Sequence, residues 1–199
     1  LLVWVKNSLP PQAVRDKVRE SKTFSNEFVA WLESCHQGGY SSGTESEIAS
    51  AVAALSHNPT EATPAAPPSN MAETRAEEWL TEVRRITDCI VYLSNRHNSR
   101  HDKGCLRGKG PESYCRANFP RPLYSESLVD WMTGSVELRH TEQWLNTFNV
   151  TLTYLMRCNT DVTCLMSSTQ VRAIIAYVTD YVTKNSLKTH VVFETIKAV

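Results

Sequence analysis

One stripe of side chains limits what this chain can become. Val171, Ile174, Ile175, Val178 and Val182 recur at i, i+3, i+4, i+7 and i+11, a spacing that places all five on one face of a helix. Such a face must be buried, so a helix over 169–184 is expected to pack on the core. At 100° per residue, Tyr177 and Tyr181 stand about 80–120° from the centre of the stripe. They lie one turn apart, with Cβ atoms about 5–6 Å from each other, and Lys184 continues their file. Two phenols and an ammonium on one flank suit phosphoryl transfer. A tyrosine oxygen can attack a phosphate and hold the strand covalently, while a nearby cation offsets its charge. The alternative is that both rings pack at the rim of the core with their hydroxyls in water.

The rest of the chain reads as α+β, an antiparallel sheet with packed helices in one domain over 1–199. Residues 1–5, Leu-Leu-Val-Trp-Val, read as a buried strand, interior to the sheet because both of its faces are apolar. Pro11 can open a helix through Glu20, and Phe24, Phe28, Trp31, Leu32 and Cys35 mark another over 22–36. The stretch 38–72 turns small and polar and reads as a disordered insertion, most of all over 57–72, where Pro59, Pro64, Pro67 and Pro68 crowd together. Trp79, Val83, Ile86, Ile90 and Leu93 restore a helical stripe. Residues 123–130 and 135–140 read as a hairpin turning at Thr133-Gly134. Residues 152–156 form a short apolar element, and 161–166 are expected to form a strand. The chain opens on Leu1 and stops at Val199 inside an amphipathic run, so both ends are read as internal to a longer protein. No run reaches the ~18 apolar residues of a membrane span.

Net charge is zero but unevenly placed: residues 1–90 carry 8 basic and 12 acidic side chains, and residues 91–199 carry 13 and 9. Between Arg96 and Arg121 there are seven basic residues against Asp102 and Glu112, so a nucleic acid would meet this stretch first. Within the basic loop 95–122, His97, His101, Cys105 and Cys115 fall at spacings of four, four and ten. Imidazoles and thiolates at such intervals can close a tetrahedral structural zinc site, and a metal would order a loop too polar to fold on a core. The spacing is not that of a finger, and Ser99 stands where a ligand could. The alternative is a free basic loop with two ordinary thiols. Six cysteines in 199 residues do not make a secreted disulfide framework. Cys158 and Cys164 are expected to be buried small apolar groups and Cys35-His36 to be structural, while His190 reads either as a third metal ligand or as an ordinary helix-end histidine.

Five blocks now carry a resemblance. Cys115-Arg-Ala-Asn-Phe-Pro-Arg-Pro122, Val129-Asp130 with Thr133-Gly134, Trp144-Leu-Asn-Thr-Phe148, Tyr154-Leu-Met-Arg-Cys-Asn-Thr-Asp-Val-Thr163 and Ala176-Tyr-Val-Thr-Asp-Tyr-Val-Thr-Lys184 resemble fungal Helitron transposases and follow one another in the order seen there. Residues 1–7 and Glu33-Ser-Cys-His-Gln37 resemble the same family. The resemblance implies a Rep-like endonuclease fold, here incomplete at both ends, of the histidine–hydrophobic–histidine type, joined in the parent protein to a C-terminal helicase. It implies rolling-circle transposition in the nucleus on single-stranded DNA, with Tyr177 and Tyr181 at the nucleophile positions and a 5′-phosphotyrosine intermediate. Mg²⁺ or Mn²⁺ would be held by paired histidines, and a Cys/His cluster is implied near 97–115. Arg116, Arg121 and Lys184 are the expected DNA-backbone contacts, and Trp144 or Phe148 could stack a base or belong to the core.

Two departures qualify the resemblance. The paired histidines of the family would lie just before Leu1 and are not in this chain, and Asp180 stands where many relatives carry Lys. The fragment is therefore expected to be inactive, and the rival reading is a dead remnant or a non-enzymatic DNA-binding module. Gly108-Lys109 lacks the rest of a phosphate-binding loop, so no ATPase is expected. A metal held upstream must share a phosphate with the tyrosines, so Leu1 is expected within about 15 Å of their hydroxyls.

Overall fold

The computed structural model describes residues 6–69, 73–101, 104–108 and 110–183, and the side chains of these except 73, 74, 168 and 180–182. The described residues form six α-helices and two small antiparallel hairpins, an α+β arrangement. None of the helices is long and apolar enough to cross a membrane.

The first two helices form a helical hairpin. Pro11 occupies the first turn of α1 (Pro11–Glu20), where its missing N–H costs nothing, and Lys17 and Arg19 sit at the negative end of the helix dipole. Ser21 then caps α2 (Lys22–Cys35) by accepting from the Phe24 N–H at 3.2 Å. Val18 and Leu32 are the buried apolar residues between these helices and their neighbours.

The stretch expected to be a disordered insertion differs most from expectation. It carries α3 (Glu45–Ala53), opened by a reciprocal capping box in which Thr44 accepts from the Glu47 N–H and Glu47 accepts from the Thr44 N–H. Ahead of α3, Ser41 and Ser42 donate four hydrogen bonds, at 2.6–3.2 Å, to one oxygen of the fully buried Asp88. Beyond α3 the chain runs without regular structure to residue 69, yet it is tied down. Tyr154 Oη donates to the Ala65 carbonyl at 3.2 Å, and Arg157 donates to the Pro59 carbonyl at 3.3 Å.

Asp88 lies on α4 (Glu73–Ser94), which packs against both α3 and α5 (Val150–Met156). The short apolar element expected over 152–156 is this helix α5, capped by Asn149 through the Leu152 N–H. The buried centre is Val91, Leu145 and Phe148, with Tyr40 and Val150 against it. Two backbone bridges, Gln37↔Phe148 and Arg96↔Leu145, bring three distant segments together there.

The hairpins are β1 (Leu106–Arg107) with β2 (Tyr114–Cys115), and β3 (Leu128–Asp130) with β4 (Ser135–Glu137). The second turns where expected. Asp130 accepts from the Thr133 hydroxyl and the Met132 N–H, bonds that hold its carboxyl below the usual carboxylate range. Gly134 follows at φ 70°, with the Arg15 carbonyl 2.6 Å from where a Cβ would stand, so no larger residue fits. The strands are shorter than expected, and the pairing continues only as a bridge between Tyr124 and His140.

Three further expectations change, and a fourth falls outside the described residues. Residues 161–166 form no strand; Thr147 meets both backbone groups of Val162, its hydroxyl donating to the carbonyl and its own carbonyl accepting from the N–H. Cys158 is exposed rather than buried, because it follows the left-handed residue Arg157 that ends α5. The strand expected over 1–5, with its distance to the tyrosines, lies outside the described residues, as does His190. The apolar stripe of α6 (Ser168–Thr183) is not sealed in a core: none of the described side chains of α6 is buried, and Ile175 is 45% exposed. The strand expected to cover it is the one outside the described residues.

Acid should weaken this fold through His140. Burial lowers its pKa, backbone groups of Glu142 and Leu145 raise it, and the charge of Arg121 lowers it, leaving it below the ordinary histidine value. The unfolded chain then binds more protons than the folded one as pH falls through about 6.5, so stability declines from there and levels off below the folded-state pKa. Urea unfolding of His140→Gln beside the parent chain, from pH 7.5 to 5, should show a flatter decline in the variant. Identical pH slopes would place the acid sensitivity elsewhere.

Candidate metal centre

Three separate pieces of backbone deliver four ligands to one point. α4 ends at Ser94, and Asn95 fixes the exit: its side-chain N–H donates to the Thr160 carbonyl at 2.6 Å while its oxygen accepts from the Thr160 N–H at 2.9 Å. His97 follows, its N–H bonded to the Trp144 carbonyl at 2.7 Å. Asn98 then turns the chain, accepting from the Arg100 N–H at 3.0 Å, and His101 adopts φ 48°. Asparagine suits this role because its short side chain can replace a backbone bond in a tight turn. Cys105 and Cys115 stand at the base of the first hairpin, where the Arg116 N–H donates to the Cys105 carbonyl at 2.8 Å.

The ligand atoms of His97, His101, Cys105 and Cys115 all lie within 4.8 Å of one another. Five edges of the figure are explicit. His97 Nε2 is 3.2 Å from His101 Nδ1, 3.2 Å from Cys105 Sγ and 3.6 Å from Cys115 Sγ. Cys105 Sγ is 3.6 Å from His101 Nδ1 and 3.3 Å from Cys115 Sγ. A zinc ion with bonds of about 2.0–2.1 Å to nitrogen and 2.3 Å to sulfur needs tetrahedral edges of about 3.3–3.8 Å. Two imidazoles and two thiolates match that ion in donor type and number, with edges at or somewhat below those lengths. Ser99 is exposed on the turn between the two histidines.

The electrostatics favour a thiolate. Burial opposes ionisation of Cys115, but hydrogen bonds from the Phe119 backbone, the Cys105 thiol and the Ala117 backbone, with the charge of Arg121, hold its pKa below the ordinary thiol value. Aromatic rings wall the site. His97 stacks on Phe119 at 4.5 Å with planes 5° apart, and His101 meets Trp144 edge-on at 5.8 Å. The guanidinium of Arg121 lies 4.6 Å from the centre of the Phe119 ring. These rings pack against the imidazole planes, while His97, His101 and Cys105 remain partly exposed.

The other site residues are not gathered here. Trp144 is half-buried against the histidines, and Phe148 is fully buried in the core, which removes it as a base-stacking group. Arg116 is exposed beside the cluster, while Arg121 is partly buried and donates to Asn146 Oδ1 at 2.8 Å. Tyr177 on α6 is 65% exposed. The side chain of Tyr181 and the whole of Lys184 lie outside the described residues. Sequence reasoning missed Asn95, whose paired bonds to Thr160 aim the histidines. A lone asparagine after a helix carries no signal of a partner 65 residues away. A separate apolar cleft of about 810 Å³, lined by Trp79, Val83 and Tyr154, shares no residue with the metal cluster. No family model, curated protein or solved structure matches the chain.

Proposed function

We propose that this chain is part of the Rep-like domain of a Helitron-type rolling-circle transposase, which nicks and joins single-stranded DNA through a tyrosine nucleophile. The observation that supports this best is the convergence of His97, His101, Cys105 and Cys115, since the resemblance places a Cys/His cluster at this point. The ordered blocks on its C-terminal side agree. In this reading the cluster holds structural zinc, because four protein ligands leave no open position for substrate.

The chemistry belongs to α6. Tyr177, exposed to solvent, would attack a strand phosphate through its phenol oxygen, giving a 5′-phosphotyrosine and releasing a 3′-hydroxyl. Tyr181 would take the second strand and Lys184 would offset phosphate charge. Mg²⁺ or Mn²⁺, which would polarise the phosphate, needs paired histidines, and none of the six histidines here is two residues from another. They would be supplied, with the helicase, by the parent protein, acting in the nucleus.

A second reading, a DNA-binding module without catalysis, is favoured by one fact. Among the described residues, the only cluster of three or more metal-ligating groups is this closed one. One experiment separates the two. Mixed with labelled single-stranded DNA and Mg²⁺ or Mn²⁺, the chain alone should bind without forming a covalent adduct. The parent polypeptide should form a denaturant-resistant adduct that is lost in the Tyr177→Phe, Tyr181→Phe double variant. An adduct surviving that double variant would remove the tyrosines from the reaction, and no adduct from the parent would favour the second reading.

A further inference from the structure

We propose that the β1–β2 hairpin is a binding platform for single-stranded nucleic acid, with Tyr114 stacking a base and Arg107 and Arg116 meeting the phosphates. The inference rests on the DNA-binding reading above and adds the residues that carry it.

The argument starts from register. Arg107 pairs with Tyr114 across the ladder, and side chains directly opposite in an antiparallel pair share one face, with Cβ atoms about 4.5–5.5 Å apart. The next residue of β2, Cys115, turns into the metal cluster and is 5% exposed. Strand alternation therefore turns Tyr114 the other way, and it is 62% exposed. A phenol ring held in water beside a guanidinium is the pairing that single-strand binders use: the ring offers a face to any base, and the cation tracks the backbone.

Charge points the same way. From 96 to 121 the described residues carry Arg96, Arg100, Arg107, Arg116 and Arg121 against Glu112 alone. Arg96 is engaged by Glu45 at 2.6 Å, and Arg121 is partly buried against Phe119 and Asn146. Arg100, Arg107 and Arg116 are exposed. Arg116 donates to the Gly104 carbonyl at 3.3 Å, which lays its guanidinium over the base of the hairpin. Cys105, just ahead of β1, and Cys115, at the end of β2, both belong to the candidate cluster, so an ion there would hold the base of the hairpin before DNA arrives. The partner is a single strand because a duplex keeps its base faces stacked and offers none to Tyr114.

The test is fluorescence anisotropy of a labelled oligothymidine with the zinc-loaded full chain, with zinc content and far-UV circular dichroism recorded for every variant. Tyr114→Ala should weaken binding about tenfold, while Tyr114→Phe should bind like the parent chain. Arg107→Ala should weaken binding and reduce the salt slope by about one, whereas Tyr114→Ala should leave the slope unchanged. If the chain binds oligothymidine but Tyr114→Ala, with its zinc intact, binds equally well, the platform is wrong and the DNA-binding reading stands. If the zinc-loaded chain binds no oligothymidine, both fall. Tighter binding to duplex than to single strand would also overturn the platform.

Discussion

Chelating the metal from the purified chain should release the segment 95–122 while the α1–α2 hairpin stays folded. Structural zinc in small sites contributes about 10–16 kcal/mol of apparent binding energy near pH 7, more than most domains have in total stability. The loop has little apolar burial to hold it: of its described residues only Asn95, Cys115 and Phe119 are buried, and its hydrogen bonds to the rest of the chain lie at its two ends. The purified chain should contain one zinc per molecule by atomic emission. Amide exchange should show protection of 95–122 that vanishes on chelation, with little change over 11–35. Cys115→Ser should weaken zinc at least about 100-fold, since loss of an outer-shell group alone costs about 10–100-fold. Acid should release the metal as well, because its ligands bind it only when deprotonated. Substoichiometric zinc, or a loop equally protected with and without it, would refute the metal centre.

The second large effect should come from Asp88. One carboxylate oxygen accepts all four bonds from Ser41 and Ser42, and the residue has no exposure to solvent. Hydrogen bonds contribute about 0.5–1.5 kcal/mol each, and stranding buried donors costs about 1–3 kcal/mol apiece, while removing the buried Oδ1, which has no hydrogen-bond partner, offsets part of the loss. These terms are not additive, because the serine hydroxyls can turn toward other acceptors and water can enter. Asp88→Ala should still cost about 3 kcal/mol or more, read as a lowered urea midpoint at unchanged slope. Zinc stoichiometry should survive, since Asp88 stands on α4 well before the ligands begin at His97. A loss of stability smaller than about 1 kcal/mol, taken from the midpoint shift times the slope, would mean that the loop before α3 contributes little to the fold.

What the sequence made legible follows from how local each cause is. The metal cluster could be read because its ligand types are rare and its spacings short. The second hairpin could be read because Asp130, Thr133 and Gly134 write their own turn. The helix α1 has the bounds its proline implied. The helix α3 was legible too, in Thr44-x-x-Glu47 ahead of Ile48, but the surrounding small polar residues masked it. The loop that Asp88 holds was not legible, since a carboxylate on one helix does not name its donors 46 and 47 residues earlier. The strand expected over 161–166 was not legible either way from the segment itself, whose Val162 pairs with Thr147 and with no neighbouring strand among the described residues. The stripe on α6 shows the opposite limit. Periodicity tells which face is apolar but not what covers it.

The doubled bond between Gln37 and Phe148, at 2.7 and 3.0 Å, closes one long ring in the chain. It makes residues 38–147 an excursion that leaves and returns at one place, and Asn149 reinforces the closure by donating to the Cys35 carbonyl 114 residues away. The ring drawn by the metal ligands, from His97 to Cys115, is far shorter. Entropy penalises ring closure by length, though slowly, at about 0.6 kcal/mol for each doubling, and contacts remote in sequence are the slow ones to form. The small ring can close early around its ion, with neither Gln37 nor Phe148 in place. Closure of the large one is expected to come later, once the helices α3 and α4 and both hairpins have shortened the path between its ends, and pulse-labelled amide exchange at Phe148 and His97 would test that order.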